Sequence, residues 1–331
     1  METIGILGAG AWGTALALVA SRAGKKVLLQ AREQEVIDAV RQNNENTPFL
    51  PGVPLNPNIS VTNSFEEVLS AADVVLLVIP AQFLRASCKS FSGFWKSGMP
   101  AVVCAKGIEQ RTGALMSEIL AKELPQAPIA VLSGPTFAAE AALEKPTAVT
   151  LACADKTLGK HLVETLGTLS FRPYYSSDII SVEIGGAVKN VMAIAAGIVE
   201  GKKLGDNARA ALITRGLAEI SRLAVALGGK AETLMGLSGL GDLVLTANST
   251  QSRNYSVGLA LGEGKSLNEI LSNRRSVAEG VYTAEAVVER ARAVNVEMPI
   301  CEGLMKIMNE NVPVDDVLYS LLSRPFKPEN A

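Results

Sequence analysis

The chain has 331 residues, 48% of them hydrophobic and 19% charged, with 31 lysines and arginines against 33 acidic residues. That length predicts about two domains, each able to bury a core. A net charge of −2 without any basic run excludes the electrostatic footprint of a nucleic-acid-binding protein. Cys88, Cys104, Cys153 and Cys301 are scattered without metal-ligand spacing and read as free thiols of a reducing compartment.

The run IGILGAGAWGTALALVA near the N-terminus is apolar, but no positive charge precedes it and four glycines interrupt it. It does not read as a secretory signal. No other stretch is expected to approach a membrane span, and the expected location is the cytoplasm.

Thr3 to Leu7 reads as a strand, GAGAWG as a turn, and Thr14 to Ala23 as a helix closed by Gly24. The stretch KKVLLQ begins the next strand. Gly8, Gly10 and Gly13 thus take G-x-G-x-x-G spacing inside a βαβ unit, the setting in which that pattern predicts dinucleotide binding. Gly8 allows the tight turn, Gly10 lets a pyrophosphate approach the backbone, and Gly13 lets helix and strand pack closely. The helix N-terminus offers amides to the anion. No acid stands at the tip of the second strand to bind a ribose hydroxyl. Arg32 follows there and can pair with a 2′-phosphate, which favours NADP over NAD, although Glu33 stands beside it.

Strand and helix patterns continue to alternate. ISVTNSFEEVLSAADVVLLVIP supplies a strand, a helix capped by Asn63 or Ser64, and a buried strand from Val74 to Ile79. MPAVVCAKG, IAVLSGP, TAVTLAC and FRPYYSSD add further strands. The alternation predicts an α/β fold with a mostly parallel, doubly wound Rossmann-type sheet over residues 1–177. Ligands of such sheets bind at the carboxyl ends of the strands. Lys106 in AKGIE, and Gly134, Thr136 and Ala138 in SGPTFAAE, fall there. Between these strands, KTLGKHLVETLG has helical period and places His161, the sole histidine, on its polar side. Histidine is therefore a poor candidate for proton chemistry.

After Ser177 strand patterns fade, and residues 178–331 read as an all-helical second domain. Asp178 to Gly201 is its opening helix. DNARAALITRGLAEISRLAVALGG, AEGVYTAEAVVERARAVNV, PICEGLMKIMNEN and PVDDVLYSLLSR are helical. Residues 232–267 read as Gly- and polar-rich chain between helices. The opening helix is built mostly of small and apolar residues around one positive charge, Lys189, with Gly185 and Gly186 on the same face. Such a lysine either snorkels to solvent or sits buried with a lowered pKa. In the second case the glycines would leave space for substrate. Taken alone, Asp242 reads as a cap or turn residue, and SRN at 252–254 as a solvated loop.

The motifs GILGAGAWGTALA, NTPFLPG, AKGIE, SGPTFAAE, VEIGGAVKNVMAIAAGIVEG, GLSGLGDLVLT, QSRN and VAEGVYTAEAV follow one another across nearly the whole chain. In that order they resemble the bacterial-type NAD(P)-dependent glycerol-3-phosphate dehydrogenases. The resemblance implies reversible reduction of dihydroxyacetone phosphate to sn-glycerol 3-phosphate, a precursor of phospholipid head groups, in a homodimer. It implies that Lys189 is the proton acceptor, and that Lys106, Gly134, Thr136, Asp242, Ser252, Arg253 and Asn254 join it around the substrate. It further implies that Ala11, Trp12, Arg32, Phe49, Lys106, Ala138, Arg253, Val277 and Glu279 contact the dinucleotide, with Gly8, Gly10 and Gly13. Phe49 stands where the family usually carries tyrosine, and TANSTQSRN lacks a cysteine often found after the threonine.

Residue chemistry points the same way. Hydride transfer to a ketone leaves an alkoxide that needs a proton and a positive field. A desolvated lysine near a second cation can serve, and Arg253 offers a planar fork for phosphate. Two alternatives remain at this level: a two-domain reductase acting on a β-hydroxyacid or sugar acid, and a dinucleotide-sensing regulator without catalysis.

Overall fold

The computed structural model describes residues 1–272, 278–326 and 328. Its first half alternates: β1 (Thr3–Leu7), α1 (Ala11–Arg22), β2 (Lys26–Gln30), α2 (Gln34–Asn43), β3 (Ile59–Thr62), α3 (Phe65–Ala71), β4 (Val74–Leu77) and α4 (Ala81–Phe91). β5 (Ala101–Val103), α5 (Met116–Glu123), β6 (Ile129–Ser133), α6 (Ala138–Ala142), β7 (Thr147–Cys153), α7 (Lys156–Leu166) and β8 (Phe171–Ser176) complete it. Of the two candidate caps for α3, Ser64 is the one used: its Oγ accepts the Glu67 N–H at 3.1 Å.

The eight strands form one sheet in the order β3-β2-β1-β4-β5-β6-β7-β8. Every neighbouring pair is parallel except β6–β7, where the direction reverses; β7 and β8 then run parallel to each other. The inner strands carry almost only apolar residues because helices cover both faces. Ile4, Ile6 and Leu76 belong to the core on one face, Leu7, Val75 and Leu77 to the core on the other.

Beyond β8 the structure is helical: α8 (Ile179–Gly201), α9 (Asp206–Ala226), α10 (Ala231–Leu234), a π turn (Leu237–Gly241), α11 (Asp242–Ala247) and α12 (Arg253–Gly262). Then come α13 (Leu267–Ser272), α14 (Glu279–Ala293), α15 (Pro299–Asn309) and α16 (Val314–Leu322). The segment expected to be irregular between helices therefore holds α11 and α12. Gly258 and Gly262 are packing surfaces inside α12 and not breaks. A Cβ on Gly258 would lie 1.9 Å from the Ile194 carbonyl oxygen, and one on Gly197 2.1 Å from that of Tyr255. With Gly201 and Gly262 one turn further on, α8 and α12 meet backbone to backbone.

α8 is the axis of this half. Asp178 caps it through the Ser181 N–H at 3.0 Å, and every residue from Ser181 to Val199 is buried. The expectation that no stretch approaches a membrane span needs correction here. α8 is long and apolar enough, with a mean hydropathy of 1.5, but it lies wholly inside the protein. Two buried carboxylates bind helix starts remote in sequence. Glu183 of α8 accepts the Ser117 N–H of α5 at 2.8 Å, and Glu219 of α9 accepts the Ile300 N–H of α15 at 2.8 Å. Burial pushes each carboxyl up to about 7, against the pull of these hydrogen bonds.

The glycine contact makes a direct stability prediction. Gly197→Ala should lower the unfolding free energy by about 1–3 kcal/mol through overpacking, read as a lower urea midpoint. Gly93→Ala, where a Cβ meets nothing within 4 Å, should stay within about 0.5 kcal/mol of the parent.

Candidate active site

The turn after β1 has the geometry expected of Gly8 and Gly13. Gly8 has φ +110°, and a Cβ there would strike the Val78 carbonyl oxygen at 2.5 Å. A Cβ on Gly13 would lie 1.8 Å from the Gly8 carbonyl oxygen, so helix and turn are pressed together. Gly10 is different: nothing lies within 4 Å of its Cβ position, and it forms the N-cap of α1. The backbone is open there, at a helix start whose first amides lack helical partners. Trp12 follows, and its indole Nε1–H is buried without a partner.

Other residues expected around a dinucleotide lie at the same edge or near it. Beyond β2, the Arg32 guanidinium is exposed and pairs with Glu33 at 2.8 Å. Phe49 is 41% exposed on the turn after α2. Ala138 opens α6. Glu279 opens α14 and accepts the Ala81 N–H at 3.4 Å, which ties the loop after β4 to the helical half. Burial raises its pKa, with Arg253, Lys106 and Lys189 pulling the other way. Val277 lies outside the described residues.

The polar centre sits where α8, α11 and the loop after β5 converge. Lys189 is buried, so the snorkelling alternative is excluded. Its Nζ donates to Asp242 Oδ1 at 2.8 Å and to Thr246 Oγ1 at 2.7 Å. Lys106 approaches from the loop after β5 and donates to Asp242 Oδ2 at 2.6 Å and to the Gly134 carbonyl at 2.9 Å. One carboxylate thus carries two ammonium groups, one on each oxygen. Burial pulls the Lys189 ammonium down to about 8; Asp242 opposes the fall and Lys106 deepens it.

Several of the expected residues have partners within the chain. Asp242 is 0% exposed, and each of its oxygens accepts from a lysine, so it holds the two cations together. The glycines beside Lys189 leave no room for substrate: a Cβ on Gly185 would strike the Ser238 carbonyl oxygen at 2.5 Å, and one on Gly186 would strike Ser133 Oγ at 2.6 Å. They allow α8 to touch the end of β6 and the π turn. Asn254 turns inward, donating to Asn190 Oδ1 at 2.9 Å and accepting the Gly280 N–H at 3.0 Å. Ser252 Oγ caps α12 by accepting the Tyr255 N–H at 3.2 Å. Arg253, the first residue of α12, is exposed. Thr136 donates to the Gly134 carbonyl at 3.1 Å, the same oxygen that receives Lys106.

Two residues of this centre escaped the sequence reading. Thr246 stands one turn after Asp242 on α11, an i, i+4 relation that could have marked it. Asn190 donates to the Lys106 carbonyl at 3.3 Å and receives Asn254; only its place beside Lys189 pointed to it.

Comparison with known proteins matches residues 3–159 to the NAD-dependent glycerol-3-phosphate dehydrogenase N-terminus and residues 178–319 to the C-terminus of the same family. A glycerol-3-phosphate dehydrogenase [NAD(P)+] of Rhodospirillum rubrum is 56% identical over 329 residues, covering 99% of this chain and 94% of the relative. One from Parvibaculum lavamentivorans is 55% identical and covers 98% of each. The crystal structure of glycerol-3-phosphate dehydrogenase from Coxiella burnetii superposes with a TM-score of 0.94 at 40% identity, covering 98% of this chain and 99% of that one. With both family models matched in order along one chain and full-length relatives above half identity, the protein belongs to the NAD-dependent glycerol-3-phosphate dehydrogenase family.

Proposed function

We propose that the chain reversibly reduces dihydroxyacetone phosphate to sn-glycerol 3-phosphate with NAD(P)H, and that Lys189 moves the proton. The observation that carries this reading is a buried ammonium sharing a buried carboxylate with a second ammonium. The residues present fit a dinucleotide: the open backbone at Gly10 and the unpartnered Trp12 indole N–H lie together at the start of α1. Gly8, Gly10, Ala11, Trp12 and Gly13 would hold its phosphates, with Arg32, Phe49, Ala138 and Glu279 around the rest. Bound there, the dinucleotide supplies the hydride.

Lys189 donates a proton to the ketone oxygen of the substrate as negative charge builds on it, and in the oxidation takes the hydroxyl proton back. Its lowered pKa makes both directions accessible near neutral pH. Lys106, on the other oxygen of Asp242, stabilises the alkoxide. Asp242 keeps one counter-ion at every stage: when Lys189 is neutral, Lys106 still balances the carboxylate. Two ammonium groups against one carboxylate leave a positive site for a phosphorylated substrate. Arg253, at the mouth of α12, binds the phosphate. Arg32 supports use of NADP, and its pairing with Glu33 supports use of NAD as well. Its proposed location is the cytoplasm, a reducing compartment that suits its four buried free thiols. Its proposed assembly is a homodimer, which light scattering would read as twice 34.7 kDa.

Lys189→Ala should lower kcat by about 10²- to 10⁴-fold while NADH binding, followed by fluorescence, persists. In the parent enzyme, kcat/KM for reduction should fall as pH rises through about 8, and kcat/KM for oxidation should rise over the same range. Asp242→Asn removes the charge that favours the Lys189 ammonium. It should move that midpoint to lower pH and reduce stability in urea by about 3–5 kcal/mol, since buried Lys189 and half-buried Lys106 lose their common partner. Arg253→Ala should raise KM for dihydroxyacetone phosphate more than it changes kcat; an unchanged KM in steady-state assays would reject the phosphate role.

A further inference from the structure

Asn46 is 0% exposed, yet it lies in no helix or strand. Its side chain reaches across to the glycine-rich turn: Nδ2 donates to the Ala9 carbonyl at 2.8 Å and to Thr14 Oγ1 at 2.7 Å. Ala9 and Thr14 flank Gly10–Gly13, so one amide group clasps both ends of the turn. Among the described residues, the only other donor to the Ala9 carbonyl is Thr14 Oγ1, at a weak 3.5 Å. Asn46 also holds the turn that follows it, because its own carbonyl accepts the Phe49 and Leu50 amides at 3.3 and 2.8 Å. Leu50 is buried and anchors that turn, while Phe49 stays exposed.

The geometry points to Asn46 as a positioning residue for dinucleotide binding, a proposal that rests on the dinucleotide reading above. The Ala9 carbonyl and the Gly10 N–H belong to one planar trans peptide, so they face opposite ways. Holding the carbonyl inward fixes the direction of the Gly10 amide, at the one glycine of the turn with open space around it. Without Asn46 the buried carbonyl loses its strong donor, and the peptide is free to rotate toward water. The amide then no longer meets a phosphate at a fixed angle. The same side chain links that amide to the turn carrying Phe49, so the phosphate end and one flank of the site are set together.

The test is direct titration of the full chain with NADH, ADP and AMP, followed by protein fluorescence or calorimetry. Asn46→Ala should weaken NADH and ADP by about tenfold, the cost of one buried hydrogen bond. AMP, which has no pyrophosphate, should bind nearly as before, and so should kcat at saturating cofactor and KM for dihydroxyacetone phosphate stay near the parent values. Asn46→Asp keeps the shape but replaces the donor with an acceptor facing the Ala9 carbonyl, and should bind NADH more weakly than Asn46→Ala. If Asn46→Ala does not fold, Thr14→Val tests the same clasp by removing one partner, with a smaller loss for NADH expected. Parent-like NADH affinity in a folded Asn46→Ala, an equal loss for AMP, or an Asp variant better than the Ala variant would overturn the role. Failure of the parent protein to bind NADH would overturn the dinucleotide reading instead.

Discussion

The structure depends on how the charge of Asp242 is kept inside the protein. A carboxylate with no exposure is tolerable only if it is paired and hydrogen-bonded, and here its two oxygens meet two ammonium groups delivered by different parts of the chain. Lys106 comes from the parallel sheet, Lys189 from α8, and Asp242 from α11. Folding either half alone would leave charges without partners, so the electrostatic cost of the centre favours the assembled state. The same arrangement is asymmetric in a useful way. Lys106 also holds the Gly134 carbonyl, while the second contact of Lys189 is a hydroxyl. The lysine with the weaker set of partners is the one whose burial lowers its pKa to about 8.

That burial comes from the composition of α8. A helix with almost no polar side chains can run through the middle of a protein only if its neighbours come close on all sides. Gly197 and Gly201 let α12 approach on one side, and Gly185 and Gly186 let the π turn and the end of β6 approach on another. Excluding water in this way strengthens every interaction of Lys189. The packing of the helix and the acidity of its lysine are therefore one property, seen once as stability and once as chemistry.

The β1–turn–α1 unit was legible because its glycine spacing suits one tight turn, with Gly8 at positive φ and Gly13 pressed against the Gly8 carbonyl. The alternating strands were legible because strands buried on both faces read as short apolar runs. The helices of residues 232–267 were not, because glycine lowers helix propensity; the compensation, contact between α8 and α12, is tertiary and invisible in a local window. For the same reason the glycines around Lys189 were read as space when they are contact. Asp242 and Asn254 were legible as members of the site, since the ordered motifs marked them, but their partners lie 53 and 64 residues away. No spacing rule reports a contact at that distance. Asn46 went unmarked because a lone asparagine in a turn ordinarily serves its own backbone.

The reversal between β6 and β7 acts as a ruler for α8. Because β8 runs with β7, it carries the chain back toward the edge where β6 begins, and Ser176 ends level with Ala152, which faces Val131. α8 must then recover that distance before it can meet the ligand edge. From Ile179 to Gly186 it rises about 11 Å, enough to cover the ~7 Å of strand from Val131 to Ser133, and Gly186 arrives beside Ser133 at the end of β6. Lys189 follows within the next turn, just past the strand ends. The depth of the lysine within its helix is thus a measure of strand length. Two residues added to each strand of this block would require about four more in α8 before the lysine, so insertions in sheet and helix must be matched for the two ammonium groups to keep their common carboxylate.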